Sequence, residues 1–193
     1  MRKDRLLAFS DGVFAIIITI MVLELKVPHE NDLSGLMKVA PVFASYVLSF
    51  IYVAIYWNNH HHMLELVQRI NGVCLWANMF LLFWLSLVPF ATGWMGETHF
   101  AVLPTAFYGL TLLLPAIGYT TLQRALIGAH PANAALGDAV GHDTKGRVSL
   151  LLYVLGIAAA FVQPWLAVAL YGVVALMWLV PDRRIERVVA KSE

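Results

Sequence analysis

The chain has 193 residues, 60% of them hydrophobic and only 13% charged, with a formal net charge of +1. Soluble domains carry roughly 45–50% apolar and roughly 25% charged residues, so this composition excludes an ordinary soluble enzyme, a disordered tail and a coiled coil, and the weak charge leaves no field for nucleic acid. The single cysteine, Cys74, excludes an internal disulfide and a cysteine-built zinc site, and in its apolar run it reads as a small buried residue.

What remains is an all-α polytopic membrane protein, with spans marked by runs free of Asp, Glu, Lys and Arg. The first run, Gly12–Leu23, follows a basic N-terminus and has the look of a signal peptide. Leu23 is followed by Glu24, Leu25, Lys26, Val27 and Pro28, without a small-x-small cleavage pattern. An uncleaved first helix over 5–27 is therefore predicted. At about 100° per residue, Phe9, Ile16, Ile20, Leu23 and Val27 fall on one stripe, with Thr19 at its flank. Ile18 and Met21 fall off that stripe, and Asp11 points to the opposite half. An acid on a membrane helix is costly against lipid, so Asp11 either finds a partner inside the bundle or sits solvated at headgroup level.

The second run, Val39–Leu64, holds 26 residues and predicts a span over 41–64. Ser45, Ser49, Tyr52, Tyr56, Asn59 and His60 recur on it at three- and four-residue steps. Such a seam reads first as helix–helix glue, with a substrate path as the alternative. His60, His61 and His62 are consecutive, so their side chains diverge and cannot converge on one ion; no metal site is expected, although Glu65 lies four residues after His61. Histidines at a helix end can instead donate hydrogen bonds or sense pH.

The third run, Ile70–Gly96, holds 27 residues and predicts a span over 70–95. Asn71 and Asn78 lie one heptad apart on it, and Asn78, deep in apolar sequence, needs a partner. Pro89-Phe90 predicts a kink near its outer end. The fourth run, Thr98–Gln123, is uncharged and predicts a span over 99–123. Residues 124–146, with their Gly, Ala, His and Pro, read as an irregular cytoplasmic loop, and no second domain is apparent.

The last run, Val148–Pro181, holds 34 residues. One helix of that length would measure about 50 Å against a hydrocarbon core of about 30 Å. Gln163-Pro164 supplies the break, since proline cannot continue the helical ladder. Two short spans, 145–162 and 165–181, form a hairpin whose two ends are both basic. Gly156 and Ala160 form a small-xxx-small pair suited to close packing. The total is six spans, followed by a cytoplasmic tail over 182–193.

Lys and Arg orient the chain. With the N-terminus inside, Arg2, Lys3, Arg5, Arg69, Arg124, Lys145, Arg147, Arg183, Arg184, Arg187 and Lys191 lie inside, and only Lys26 and Lys38 outside. Both termini are thus expected in the cytoplasm. The sequence carries no Walker loop, GxGxxG, HExxH or GxSxG, no TVGYG filter and no arginine ladder.

Arg5-Leu-Leu-Ala-Phe9-Ser10-Asp11 resembles R-x-x-x-F-S-D, the signature of the transmembrane protein 175 family, which contains a lysosomal potassium channel and its prokaryotic relatives. Residues 12–28 are similar to the remainder of that family's first helix. Trp57-Asn-Asn-His60-His61 resembles its W-x-N-H-H end of helix two, and Leu75-Trp76-Ala-Asn78 through Pro89-Phe90 its third helix. His62 departs from the pattern, standing where relatives often carry Arg. The likeness is specific over residues 5–92 and rests on hydropathy and length beyond about residue 100.

The resemblance implies a potassium-permeable channel of the cell membrane, made as a homotetramer of single six-helix repeats around a pore lined by helix one. It implies a narrow layer of Ile16, Ile20 and Leu23, with Thr19 as a nearby hydroxyl layer. It also implies a network of Arg5, Phe9, Ser10 and Asp11 with Trp57, His60 and Asn78 that turns Asp11 toward the bundle and sets the angle of helix one. Expected partners are further copies of the chain, the lipid bilayer and monovalent cations, with K+ as permeant ion and no cofactor, nucleic acid or enzymatic activity. The competing readings are a proton- or cation-coupled secondary transporter, an integral membrane enzyme using the histidines, and a scaffold without transport.

Overall fold

The computed structural model describes residues 3–179, apart from 135, 138–140 and 142. Every regular element among them is helical: α1 (Asp4–Leu23), α2 (Leu33–Glu65), α3 (Gly72–Ser86), α4 (Val88–Glu97), α5 (Val102–Ala129), a 3-10 turn (Pro131–Asn133), α6 (Thr144–Ala160) and α7 (Pro164–Leu179). By length and composition four segments can cross a membrane: α1, α2, α3 and α4 taken as one over Gly72–Glu97, and α5. The α7 helix is apolar but shorter. The expected tail over 182–193, with Arg183, Arg184, Arg187 and Lys191, lies outside the described residues, as does Arg2.

Several boundaries differ from the sequence reading. The α1 helix stops at Leu23 instead of reaching residue 27. Pro28 pushes Val27 out of the helical region, and the last turn tightens through Leu25 N–H to Val22 C=O at 3.2 Å. Val27 is therefore no member of a helical stripe. The α2 helix starts earlier than expected, at Leu33, because Asp32 caps it: its carboxylate accepts from Gly35 N–H at 3.2 Å and from the Ser34 hydroxyl at 2.6 Å. At about 50 Å it outruns the hydrocarbon core, which is why hydropathy missed its first turns.

The third span is two helices. Leu87 closes α3, and Pro89 sits in the first turn of α4, where its missing N–H costs no intrahelical bond. Asn71 is the cap of α3, accepting from Cys74 N–H at 3.1 Å, so it does not share a helical face with Asn78. The α5 helix runs past Gln123 to Ala129. The following 3-10 turn is clamped by Asn133, which donates to Leu126 and Arg69 carbonyls at 2.7 and 2.9 Å and accepts from Gln68 N–H at 3.0 Å. Residues 124–134 are thus mostly helical and tied to the α2–α3 connection.

Contacts join the helix ends in two groups. At one end, Lys3 Nζ donates to the Leu64 and Glu65 carbonyls that terminate α2, at 2.6 and 2.8 Å. Burial there lowers the Lys3 pKa, against the opposing pull of Glu65 and Asp4. At the other end, Lys26 meets Glu97 at 2.5 Å, Lys38 pairs with Glu30, and Phe100 packs on Trp165 with ring centroids 4.6 Å apart. Residues Phe161–Gln163 turn the chain from α6 into α7 at the Gln163-Pro164 break.

The polar seam of α2 is consumed inside the bundle. Ser49 Oγ lies 2.6 Å from Thr92 Oγ1 and 2.9 Å from Tyr108 Oη, and Tyr52 Oη donates to the Tyr171 carbonyl at 2.6 Å. Tyr171 fits a notch made by Gly109 and Gly156, where a Cβ at either position would collide with its ring or hydroxyl. Gly156→Ala is expected to cost about 1–3 kcal/mol through overpacking and to lower the thermal midpoint of the purified protein. Gly172→Ala, with nothing within 4 Å, should leave the midpoint unchanged or raise it by an amount worth up to about 1 kcal/mol.

Candidate functional site

The α1 helix has two apolar faces with opposite surroundings. Leu6, Phe14, Ile17 and Met21, spaced at helical periodicity with Ser10, are buried against α2, α3 and α4. On the other side Phe9, Ile16, Ile20 and Leu23 are uncovered, Ile16 at 60% and Leu23 at 76% exposure. Thr19 is exposed beside them. Its hydroxyl donates back to the Ala15 carbonyl at 2.8 Å, so the proton is committed and the oxygen presents lone pairs outward, the polarity that suits a cation. Large exposed side chains also stud α3 and α7, including Trp76, Phe83, Val173 and Leu176. The α7 row is apolar and suits lipid, and the α3 row ends on exposed Ser86, whose hydroxyl donates to the Phe83 carbonyl at 2.7 Å. The row on α1, with Thr19 at its middle, stands on a helix that a polar network ties to α2 and α3.

That network links three helices. Ser10 Oγ donates to the Leu6 carbonyl at 2.8 Å, Asn78 Nδ2 donates to Ser10 Oγ at 3.0 Å, and His60 Nε2 donates to Asn78 Oδ1 at 2.9 Å. All three residues are buried. The donor order requires His60 to carry its proton on Nε2. His60 Nδ1 is buried with no hydrogen-bond partner among the described residues. Phe14 meets the His60 ring edge-on, centroids 5.7 Å apart, so an apolar contact flanks the polar ones.

A second link runs nearer the surface. Trp57 Nε1 donates to Asp11 Oδ1 at 3.0 Å, and the Trp57 ring stacks on His61 at 5.9 Å. His61 and His62 both contact Glu65, at 3.1 and 3.3 Å. Asp11 thus faces α2 and is half-buried, the bundle-facing arrangement of the two left open above. Two residues of the expected network stand apart from it. Arg5 is exposed and has no hydrogen bond or ion pair among the described residues, and Phe9 is 54% exposed on the open face of α1. The physical reason is register: both lie on the side of α1 away from α2 and α3.

Sequence reasoning missed Lys3 and Phe14. A lysine one residue before a helix gives no pattern that says which distant helix end it will cap. Phe14 was readable, since it lies four residues after Ser10 and on the same face.

Comparison with known proteins gives one answer. A family model described as the endosomal/lysosomal potassium channel TMEM175 matches residues 5–89, the segment holding α1, α2, α3 and the start of α4. A potassium channel of Chryseobacterium sp. is 53% identical over 187 residues, covering 97% of both chains. The endosomal/lysosomal proton channel TMEM175 of Mus musculus is 26% identical over 170 residues, covering 83% of this chain and 33% of that one. Among solved structures, a crystal structure of a lysosomal potassium-selective channel TMEM175 homologue from Chamaesiphon minutus superposes with a TM-score of 0.79 at 30% identity, covering 93% of this chain and 97% of that one. The chain belongs to the TMEM175 family, a family of ion channels and not of enzymes.

Proposed function

We propose that the chain is a potassium-permeable cation channel in the cell membrane, four copies surrounding a pore lined by α1. The carrying observation is the uncovered face of α1, where Ile16, Ile20 and Leu23 stand in a row beside Thr19 while the reverse face is locked into the bundle. Branched apolar side chains brought together around an axis make a hydrophobic constriction that gates by dewetting. A crossing ion must deform its hydration shell there. K+ holds water more loosely than Na+ and so meets the lower barrier, which gives moderate selectivity because no cage of oxygens replaces the lost water. The Thr19 oxygens flank the constriction, and Glu24 lies at the outer mouth.

The same reading has the chain cross six times with both termini in the cytoplasm. Supporting it, Lys3 caps the far end of α2, and Lys145 at the start of α6 lies over the Trp178 ring near the end of α7, as a hairpin requires. The lysine and arginine asymmetry supports the same orientation.

A second reading is a proton- or cation-coupled transporter. Its support is the half-buried acid Asp11 on α1 and the proton-channel name of the mouse relative. Liposome flux separates the two. Purified protein in a K+ gradient is expected to pass K+ faster than Na+, without saturation and without a coupled ion. Saturating flux that stops when the proton gradient is collapsed would replace the first reading with the second, and absence of flux of any cation would remove both.

A further inference from the structure

Away from the open face of α1, the helices α2, α5, α6 and α7 line a partly open cavity of about 40 Å3. Its walls include Tyr52 and Tyr56 of α2, Tyr119 of α5, Tyr153 of α6 and Trp178 of α7, with Asp143 at the cap of α6. The tyrosines stand in two ring pairs. Tyr52 and Tyr153 have centroids 6.3 Å apart at 51°, and Tyr56 and Tyr119 have centroids 6.3 Å apart at 66°. Among the described residues no lysine or arginine lines the space, and the acid on its wall is Asp143, whose Oδ1 accepts from Gly146 N–H at 2.8 Å. Aromatic faces carry negative potential, and several of them around one point attract a cation, more strongly where water is scarce. One wall already holds a cation from this chain: Lys145 Nζ lies 5.6 Å from the Trp178 ring centroid. The Trp178 indole is held in place by its N–H, which donates to Ser149 Oγ at 2.8 Å.

We propose that this cavity binds a small alkylammonium cation, its methyl group against the tyrosine faces and its ammonium toward Asp143. The volume holds a few waters, which suits an occupant of the size of methylammonium. The site stands apart from the pore row of α1, so the two can be tested separately. Tyr56 and its neighbour Asn59 on the cavity wall flank Trp57 and His60, which hold α1. Occupancy therefore stiffens the stretch of α2 that positions α1.

The probe is radiolabelled methylammonium, bound to purified protein in detergent at constant ionic strength, with no flux measurement involved. Wild type is expected to bind saturably, with a dissociation constant on the order of 1–10 mM. Asp143→Asn keeps the acceptor for Gly146 N–H, at 2.8 Å in the native chain, and removes the charge. It is expected to weaken binding about tenfold. Tyr56→Leu should weaken it about fivefold while Tyr56→Phe, which keeps the ring, leaves it unchanged. Absence of saturable binding up to roughly 100 mM would overturn the proposal. Binding undiminished in both Asp143→Asn and Tyr56→Leu would overturn it equally, and would place the cation elsewhere, as in the pore.

Discussion

Ile16→Asn is expected to raise cation flux into liposomes about tenfold and to bring the K+ and Na+ rates close together. The argument starts from water. In the proposed tetramer the Ile16 side chains form part of a ring in which water has no hydrogen-bond partner, so the unoccupied constriction favours vapour-like emptiness. Asn places an amide at the same height and offers donors and acceptors to that water. A wetted constriction spares the ion part of its dehydration, and a barrier lower by about 1.4 kcal/mol gives the tenfold rate. The K+ preference falls with it, because it arises from the difference in dehydration between the two ions. Unchanged flux and unchanged selectivity in Ile16→Asn, with the protein still folded and inserted, would remove Ile16 from the pore.

Asn78→Leu is expected to be among the more destabilising single changes in the chain, costing about 2–4 kcal/mol. Asn78 is the middle of the buried chain from His60 to Ser10, so one substitution breaks both the bond from Nδ2 and the bond to Oδ1. Hydrogen bonds between membrane helices average about 0.6 kcal/mol and reach about 1.7. To those is added about 1–3 kcal/mol for a buried donor left without a partner. His60 is the group so stranded, because its Nδ1 already lacks a partner among the described residues. A thermal unfolding midpoint equal to that of wild type would contradict this account of α1 anchoring. Asp11→Ala removes only the half-exposed bond from Trp57, so its expected cost is smaller, about 1 kcal/mol, and its main effect should be on flux through a changed angle of α1.

Much of this site is legible in the sequence. Helical periodicity alone separates Ile16, Ile20 and Leu23 from Ser10 and Asp11, because 100° per residue leaves no freedom once a segment is helical. The need of Asn78 for a partner follows from its burial in apolar sequence. The break at Gln163-Pro164 follows from the chemistry of proline. What was not legible has physical causes. Hydropathy reports where hydrocarbon lies, whereas a helix ends where its backbone bonds stop, so α2 begins at Leu33 and α5 continues to Ala129 beyond their apolar runs. The cap at Asp32 was available as a signal, and the bond from Lys3 to the end of α2 was not, since it joins residues far apart in sequence. Arg5 and Phe9 belong to a continuous motif, yet neighbours in sequence on a helix point in different directions, and only Ser10 and Asp11 of that motif reach α2 and α3.

Cross-linking tests most directly whether the open face of α1 meets its symmetry mates. The chain has one native thiol, buried Cys74, which a Cys74→Ser background removes. In that background Ile20→Cys is set against Leu176→Cys, an exposed position on α7 assigned to lipid. Both proteins are oxidised in membranes and run on non-reducing gels. The account predicts a covalent dimer for Ile20→Cys, lost on reduction, and monomer for Leu176→Cys. Monomer alone for Ile20→Cys, with a dimer for Leu176→Cys, would mean that the chains meet along α7 and that Ile16, Ile20 and Leu23 face lipid.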